Sequence, residues 1–331
     1  MVKKFVIGFD VGGTTIRGAI SDYNGNFIAR IEEKLDKKSE NAVSNQIIKL
    51  TYSLCHLSNT DIINLKSIGI ASAGPIDLNK GALIKPTNLP FKYVPLTEPI
   101  SREFRIPVFL LNDCTAGVLG EKEFGAGRDL NNIFFLALGT GIGGGAIVDG
   151  HLLFGKDGNA VEIGHITIDY EERLKCGCGK RGHWEAYCSG RNMPNFVRMK
   201  LENTKKEEVE NSLLFEYTNS DSRLGSEFLF NAANNGDQLA IDIVKEIGKL
   251  NAIGFANIIN AYDPSLITVG GSVALNNKKL VLKPIKQRIQ DFTRNRIPRI
   301  ASTPLAQDAG LYGAIAAALY PRKWFVFNNT C

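Results

Sequence analysis

The apolar positions of this chain fall into short runs that end on glycine-rich bends, and one such arrangement occurs twice. Phe5-Val6-Ile7-Gly8-Phe9 predicts a buried strand that runs into Asp10-Val11-Gly12-Gly13-Thr14-Thr15. A second strand over 16–21 follows, and Asn24-Gly25 turns the chain into a third from Phe27. The order returns with an apolar run over 133–138, then Gly139-Thr140-Gly141-Ile142-Gly143-Gly144 and a strand over 145–148. There Asp149-Gly150 makes the turn into Leu152-Leu153-Phe154. Asn-Gly and Asp-Gly between β-rich runs are strong hairpin signals. The pattern predicts two copies of a hairpin whose first bend is rich in Gly and Thr.

Helical periods separate and follow these copies. Residues 40–57 predict an amphipathic helix through Val43, Ile47, Leu50 and Leu54. Ile68-Gly69-Ile70-Ala71 predicts a buried strand ending in Ser72-Ala73-Gly74-Pro75. A short strand over 107–111 then delivers Asn112-Asp113 at its C-terminal end, and 115–124 predict a helix that crosses to a second lobe. The stretch 196–236 is charged and irregular and predicts a peripheral helical insertion. A long helix from Gln238 carries Ile243, Ile247, Leu250, Gly254 and Ile258 on one face and is stopped by Asp263-Pro264. Leu266-Ile267-Thr268-Val269 predicts a further buried strand ending in Gly270-Gly271-Ser272. The Ala-rich segment 310–320 predicts a closing helix that packs back on the first lobe. Strands with polar residues at their C-terminal ends and helices between them predict an α/β sheet.

Composition narrows the classes. A chain of 331 residues can bury the cores of two lobes, and 44% hydrophobic with 22% charged residues is ordinary for a globular protein. The net charge of +5 is mild, and Lys205-Lys206 and Lys278-Lys279 stand beside acids or amides, so no nucleic-acid partner is expected. No apolar stretch approaches the roughly 18 residues that span a bilayer, so no membrane is expected either. With no signal-peptide pattern ahead of the first strand, the expected compartment is the cytoplasm. Six cysteines spread over this length make no disulfide framework.

The candidate chemistry starts with the glycine bends. Gly permits positive φ and close approach of a bulky anion, while backbone N–H groups and Thr hydroxyls supply donors. A bend that merely closes a hairpin is the alternative for either copy alone. Neither copy is a Walker A loop, since no Gly-Lys-Ser/Thr follows, nor a dinucleotide fingerprint, since the glycines lead into a strand. Asp113 is the candidate catalytic base, because phosphoryl transfer to an alcohol needs one carboxylate that accepts the hydroxyl proton. Its alternative is a helix N-cap.

Two of the four histidines sit with two cysteines in Glu162-Ile163-Gly164-His165 and Cys176-Gly177-Cys178-Gly179-Lys180-Arg181-Gly182-His183-Trp184-Glu185. His165, Cys176, Cys178 and His183 form a ligand set suited to tetrahedral Zn²⁺ with no position left for water, hence structural. The alternative is a reduced pair of loop cysteines with incidental histidines. Such an ion would brace Glu162, His165 and Glu185 toward something polar. With Asn88 and Asn112 these residues offer the carboxylate, amide and imidazole groups that read a polyol. Asn88 alone could also be a turn residue.

On these motifs the chain resembles the ROK family of sugar kinases, repressors and related proteins, in an archaeal-looking version of its glucokinase/hexokinase branch. The resemblance covers nearly the whole chain. It implies an actin-like (duplicated RNase H-like) ATPase fold with two lobes around a cleft holding sugar and MgATP. The small lobe would be 1–114, completed by a C-terminal helix over about 310–331. The large lobe would be 115–309, with the zinc loop 165–183 and the insertion 196–236. Asp113 would activate the 6-hydroxyl for in-line attack on the γ-phosphate. Asp10 would hold Mg²⁺, and Gly12, Gly13, Thr14, Thr15, Thr140 and Gly141 would surround the ATP phosphates, with Gly271 near adenosine. Gly74, Asn88, Asn112, Asp113, Glu162, His165 and Glu185 would bind the sugar, His165 serving zinc through one nitrogen and sugar through the other. A homodimer or homotetramer is implied as well.

Two departures stand out. His183 occupies the place of a usual third zinc cysteine, which gives a Cys2His2 site, or three protein ligands if His183 turns away. Ala73-Gly74 replaces the usual Pro-Gly of the sugar loop. Family repressors carry a winged-helix segment before the first strand, where this chain starts on that strand. The expectation is therefore a kinase, with glucose first and other hexoses next. Kinases of N-acetylmannosamine, N-acetylglucosamine or fructose share the motifs, and a sugar-sensing regulator is the non-enzymatic alternative.

Overall fold

The computed structural model describes residues 4–86, 89–218 and 224–325. Strands β1 (Phe5–Val11), β2 (Thr15–Ser21) and β3 (Phe27–Lys34) lead to helix α1 (Ala42–Leu57) and strand β4 (Leu65–Ser72). Three short strands, β5 (Ile76–Asp77), β6 (Ala82–Ile84) and β7 (Tyr93–Pro95), form a sheet of their own. Helix α2 (Thr97–Phe104), β8 (Val108–Asn112) and α3 (Asp113–Glu123) come next, then β9 (Ile133–Leu138), β10 (Ile142–Val148) and β11 (His151–Leu152). Helices α4 (Glu185–Cys188), α5 (Met193–Glu202), α6 (Lys206–Glu210), α7 (Ser226–Asn234) and α8 (Gln238–Tyr262) precede β12 (Leu266–Gly270). The chain continues through α9 (Ser272–Asn276), α10 (Lys278–Arg288), β13 (Arg299–Ser302), α11 (Ala309–Leu319) and α12 (Pro321–Trp324).

Contacts divide the chain into two compact units. One comprises Met1–Phe135, Gly145–Val161 and Thr303–Cys331; the other comprises Leu136–Gly144 and Glu162–Ser302. The division passes through β9 and β10 and again between Val161 and Glu162. The two main sheets have the orders β3-β2-β1-β4-β8 and β11-β10-β9-β12-β13.

In the first unit, β1 runs antiparallel to β2 and parallel to β4, which is parallel to β8. Period-2 alternation sends Ile7, Phe9 and Val11 to one face, where they pack with Ile68 and Ile70 against Val43, Ile47, Leu50 and Leu54 of α1. The other face carries Val6, Gly8 and Asp10, and α11 lies on it through Ile315, Ala318 and Leu319. Gly8 and Gly69 are direct cross-strand partners there. A Cβ on Gly69 would sit 1.9 Å from the carbonyl oxygen of Ala314, and one on Gly8 would sit 2.9 Å from Ile315. On its other flank α11 meets α3 in the same manner, a Cβ on Gly313 falling 1.8 Å from the carbonyl oxygen of Ala116. The expected closing helix thus rests backbone on backbone.

Both hairpin turns form. Asp149 and Gly150 are both left-handed (φ 50° and 79°), as a type I′ turn requires. At the other turn only Gly25 is (φ 83°), and Asp22 secures the bend by accepting from the backbone N–H groups of Asn24 and Asn26, each at 2.9 Å. The strand expected over 152–154 is His151–Leu152.

In the second unit the expected insertion is helical over its described residues, as α5, α6, a 3-10 turn at Leu213–Thr218 and α7. Helix α8 is capped by Asp237, whose carboxylate accepts from the N–H of Ala240 at 2.9 Å, and it ends on left-handed Asp263. Its Gly254 leaves room for the fully buried Trp184, whose indole N–H donates to Asn251 Oδ1 at 2.8 Å.

Candidate active-site residues

In the first unit, Asp10 stands near the end of β1, directly across from Arg17 in β2. The Arg17 guanidinium donates to Asp10 Oδ2 and, at 2.8 Å, to the carbonyl of Gln307. Asp10 is only 8% exposed, and burial pushes its carboxyl up to about 6 against the opposing pull of Arg17. The bend that follows is closed by Gly12 N–H donating to the carbonyl of Thr15 at 2.9 Å and leaves Thr14 exposed. Gly12, Gly139 and Gly141 all lie outside the left-handed region, so these bends do not use the positive φ that glycine permits; a Cβ would be 3.2 Å from the Thr15 carbonyl at Gly12 and 2.7 Å from Glu185 Oε2 at Gly141.

Helix α3 starts at Asp113, two residues earlier than expected, because the cap is Asn112. The Asn112 side-chain oxygen accepts from the N–H groups of Cys114 at 2.9 Å and Thr115 at 3.4 Å. Asp113 is therefore not the capping residue. It is the first residue of the helix, with Oδ1 accepting from Cys114 N–H at 2.8 Å, and burial raises its pKa.

Gly74 lies beside Asn112: a Cβ there would be 3.4 Å from Asn112 Nδ2 and 3.2 Å from Asn159 Oδ1. Asn159 pairs with the backbone of Ile76 like a strand, accepting from its N–H at 2.8 Å and donating to its carbonyl at 2.7 Å. It thereby holds the chain just after Gly74. Asn88 lies outside the described residues.

In the second unit the ligand atoms of His165, Cys176, Cys178 and His183 all lie within 4.8 Å of one another. His165 Nδ1 is 3.7 Å from Cys176 Sγ, and His183 Nδ1 is 3.3 Å from Cys178 Sγ. Tetrahedral zinc with its usual bond lengths separates ligand atoms by about 3.3–3.8 Å, so the donor set and these two separations fit that ion. His183 faces the cluster and does not turn away. Burial and the neighbouring His165 hold the His183 pKa low, which favours the neutral imidazole that a metal requires.

The loop has a brace of its own. Buried Asp169 accepts from the Tyr187 hydroxyl and from Arg173 at 3.0 and 3.1 Å, and the Tyr187 oxygen accepts from Leu174 N–H at 3.0 Å. His165 keeps Nε2 3.9 Å from Glu162 Oε2. Glu185 opens α4, with Oε2 accepting from Ile142 N–H at 2.9 Å. Gly271 is left-handed at φ 85°, and a Cβ there would lie 2.4 Å from the carbonyl of Leu138.

Residues 6–321 match the ROK family. The chain belongs to it. A glucokinase of Pyrobaculum calidifontis is 33% identical over 312 residues, 94% of each chain. Among solved structures, the ROK hexokinase from Thermus thermophilus aligns with a TM-score of 0.80 and 26% identity, covering 96% of this chain and 99% of that one. A ROK glucokinase from Streptomyces griseus, solved in complex with glucose and AMPPNP, aligns at 0.73 and 28% identity over 94% and 98%. The fold is accordingly the actin-like ATPase fold in its ROK form.

Against this ROK frame, three residues of this chain escaped the sequence reading. Asn159 stands between left-handed Gly158 and the Glu162 motif, a position where an amide commonly ties down a turn. Arg17 could have been found by counting register back from Asp10 across the hairpin. Val161, directly before Glu162, has φ 66°, a conformation a β-branched residue adopts only under constraint. No local signal in the sequence announces it.

Proposed function

We propose that this ROK protein is an ATP-dependent glucokinase that transfers the γ-phosphate of ATP to the 6-hydroxyl of glucose, with other hexoses as further acceptors. The observation that carries the chemistry is Asp113. Asn112 relieves it of the capping role, and burial raises its proton affinity, which suits a group that must take a proton from an alcohol. Full-length similarity to glucokinases supports the same reading.

In this reading Asp113 accepts the hydroxyl proton while the sugar oxygen attacks in line. Gly74, Asn88, Asn112, Glu162, His165 and Glu185 fix the sugar hydroxyls. Gly12, Gly13, Thr14, Thr15, Thr140 and Gly141 receive the phosphates, and Gly271 lies against adenosine. Mg²⁺ would neutralise charge on the phosphates, and Asp10, oriented by Arg17, would hold the ion through water. Zn²⁺ would be held by His165 Nδ1, Cys176, Cys178 and His183, which directs His165 Nε2 toward Glu162 and the sugar. The lobes 1–114, completed by the C-terminal helix over about 310–331, and 115–309, together with a dimeric or tetrameric assembly, belong to the same proposal, the assembly being open to light scattering.

The test is ATP-dependent phosphorylation of glucose, mannose, fructose, glucosamine, N-acetylglucosamine and N-acetylmannosamine, with Asp113→Ala as control. Glucose turnover that vanishes in the variant is expected. Preference for an N-acetylated sugar or fructose would reassign the substrate. Sugar binding without turnover on any acceptor would make the protein a sensor.

A further inference from the structure

Glu185 sends its carboxylate in two directions. Oε2 accepts from the backbone N–H of Ile142 at 2.9 Å, while Oε1 lies 3.5 Å from Cys176 Sγ in the His/Cys cluster. A Cβ at Gly141 would come within 2.7 Å of Oε2, so a side chain there would displace this carboxylate from the second glycine bend. The same segment of chain zips to both neighbours. Gly190 N–H donates to Gly139 at 2.8 Å and Arg191 N–H to Thr140 at 3.2 Å, on the side of the bend. On the side of the metal loop, Trp184 N–H donates to Ile166 at 2.9 Å, and His183 forms a β-bridge with Thr167.

A Gly-Thr-Gly bend has little side chain with which to hold itself and loses much conformational freedom when ordered. A hydrogen bond to an ionised carboxylate is roughly twice as strong as a neutral one, which makes it an effective anchor for such a backbone. We propose that Glu185 is a positioning residue for the nucleotide: by holding Ile142 N–H it fixes the Thr140-Gly141 backbone, and so ties nucleotide affinity to the edge of the metal cluster. This deepens the kinase reading and rests on it for the role of the bend.

The experiment is calorimetric titration of the full chain with AMPPNP and Mg²⁺ in the absence of sugar. Glu185→Ala should bind about tenfold more weakly, equivalent to about 1.4 kcal/mol. Glu185→Gln retains an oxygen that can accept from Ile142 and should stay within about threefold of wild type, a rescue that general damage would not give. Gly141→Ala should push the carboxylate off the bend, and combining it with Glu185→Ala should add less than the sum of the two single losses. Wild-type affinity in Glu185→Ala would confine Glu185 to the sugar and overturn the proposal, as would full additivity in the double variant. Failure of the kinase reading would be seen separately, as absence of sugar turnover by the wild-type chain.

Discussion

Replacing Asp113 by Asn removes a charge and nearly preserves a shape, and that allows catalysis and stability to be read apart. The amide oxygen of Asn can still accept from Cys114 N–H, and the cap of α3 belongs to Asn112, so the helix start should be unchanged. Loss of a general base typically costs 10²–10⁴ in rate, about 3–5 kcal/mol of barrier. Stability should move the other way. Burial raises the Asp113 pKa above its ordinary 3.8, so the folded chain holds that proton more tightly than the unfolded chain. Between 3.8 and the raised value the unfolded chain binds fewer protons, and wild-type stability falls as pH rises through that window. The Asn variant has no such loss. It should melt at or above the wild-type temperature at neutral pH, the gap growing from about pH 4 upward until Asp113 is fully ionised. Initial rates of glucose-dependent ADP release give kcat and KM, and thermal melts across the same pH series give the stability difference. A kcat within about tenfold of wild type would refute the base assignment. A variant that melts below wild type at neutral pH would refute the burial argument.

The acid limb of kcat/KM should lie above the ordinary aspartate value of 3.8, because the base must be ionised; a limb at or below that value in a pH–rate profile would contradict the shift. Cys178→Ser should lower zinc content by atomic absorption and raise the glucose KM, while the Asp169–Tyr187–Arg173 brace keeps the far-UV circular dichroism unchanged. Unchanged metal content and KM would remove the cluster from this role. Asn159→Ala breaks both bonds to Ile76 and should raise the glucose KM about tenfold with the ATP KM unmoved, as steady-state kinetics would reveal. Gly313→Ala places a Cβ 1.8 Å from the Ala116 carbonyl. Overpacking costs about 1–3 kcal/mol and more against rigid backbone, which outweighs the ~1 kcal/mol that Ala gains over Gly in a helix. Urea denaturation should show net destabilisation, and a more stable variant would contradict the contact.

Local chemistry in the sequence carried far. Asn-Gly and Asp-Gly marked both hairpins, although only the Asp149-Gly150 turn uses both residues of its pair in the left-handed region, and Cys-x-Cys with two histidines marked the cluster because ligand types are few. The start of α3 differs from the expected residue 115 for an equally local reason: Asn112 and Asp113 are both good N-caps, and only the backbone angles at the end of β8 decide between them. Arg17 against Asp10 follows from the hairpin register, a short count along the chain, whereas Asn159 against Ile76 is a contact between distant loops that no window of sequence contains. For the glycines of the bends, one of the two reasons expected from the sequence does not apply. None of them is left-handed, and at Gly141 the absent side chain leaves room for the carboxylate of Glu185.

The backbone seat of α11 also sets a timetable for synthesis. Strands β1 and β4 leave the ribosome early, yet the helix that covers their Val6, Gly8 and Gly69 face is made about 200 residues after β8 is complete, a delay of ~10–40 s at ordinary elongation rates. Through that interval the nascent sheet carries an apolar face with a flat glycine patch that still lacks its covering helix. The first unit therefore cannot finish folding vectorially, and its sheet is covered on that face only after residue 309 emerges.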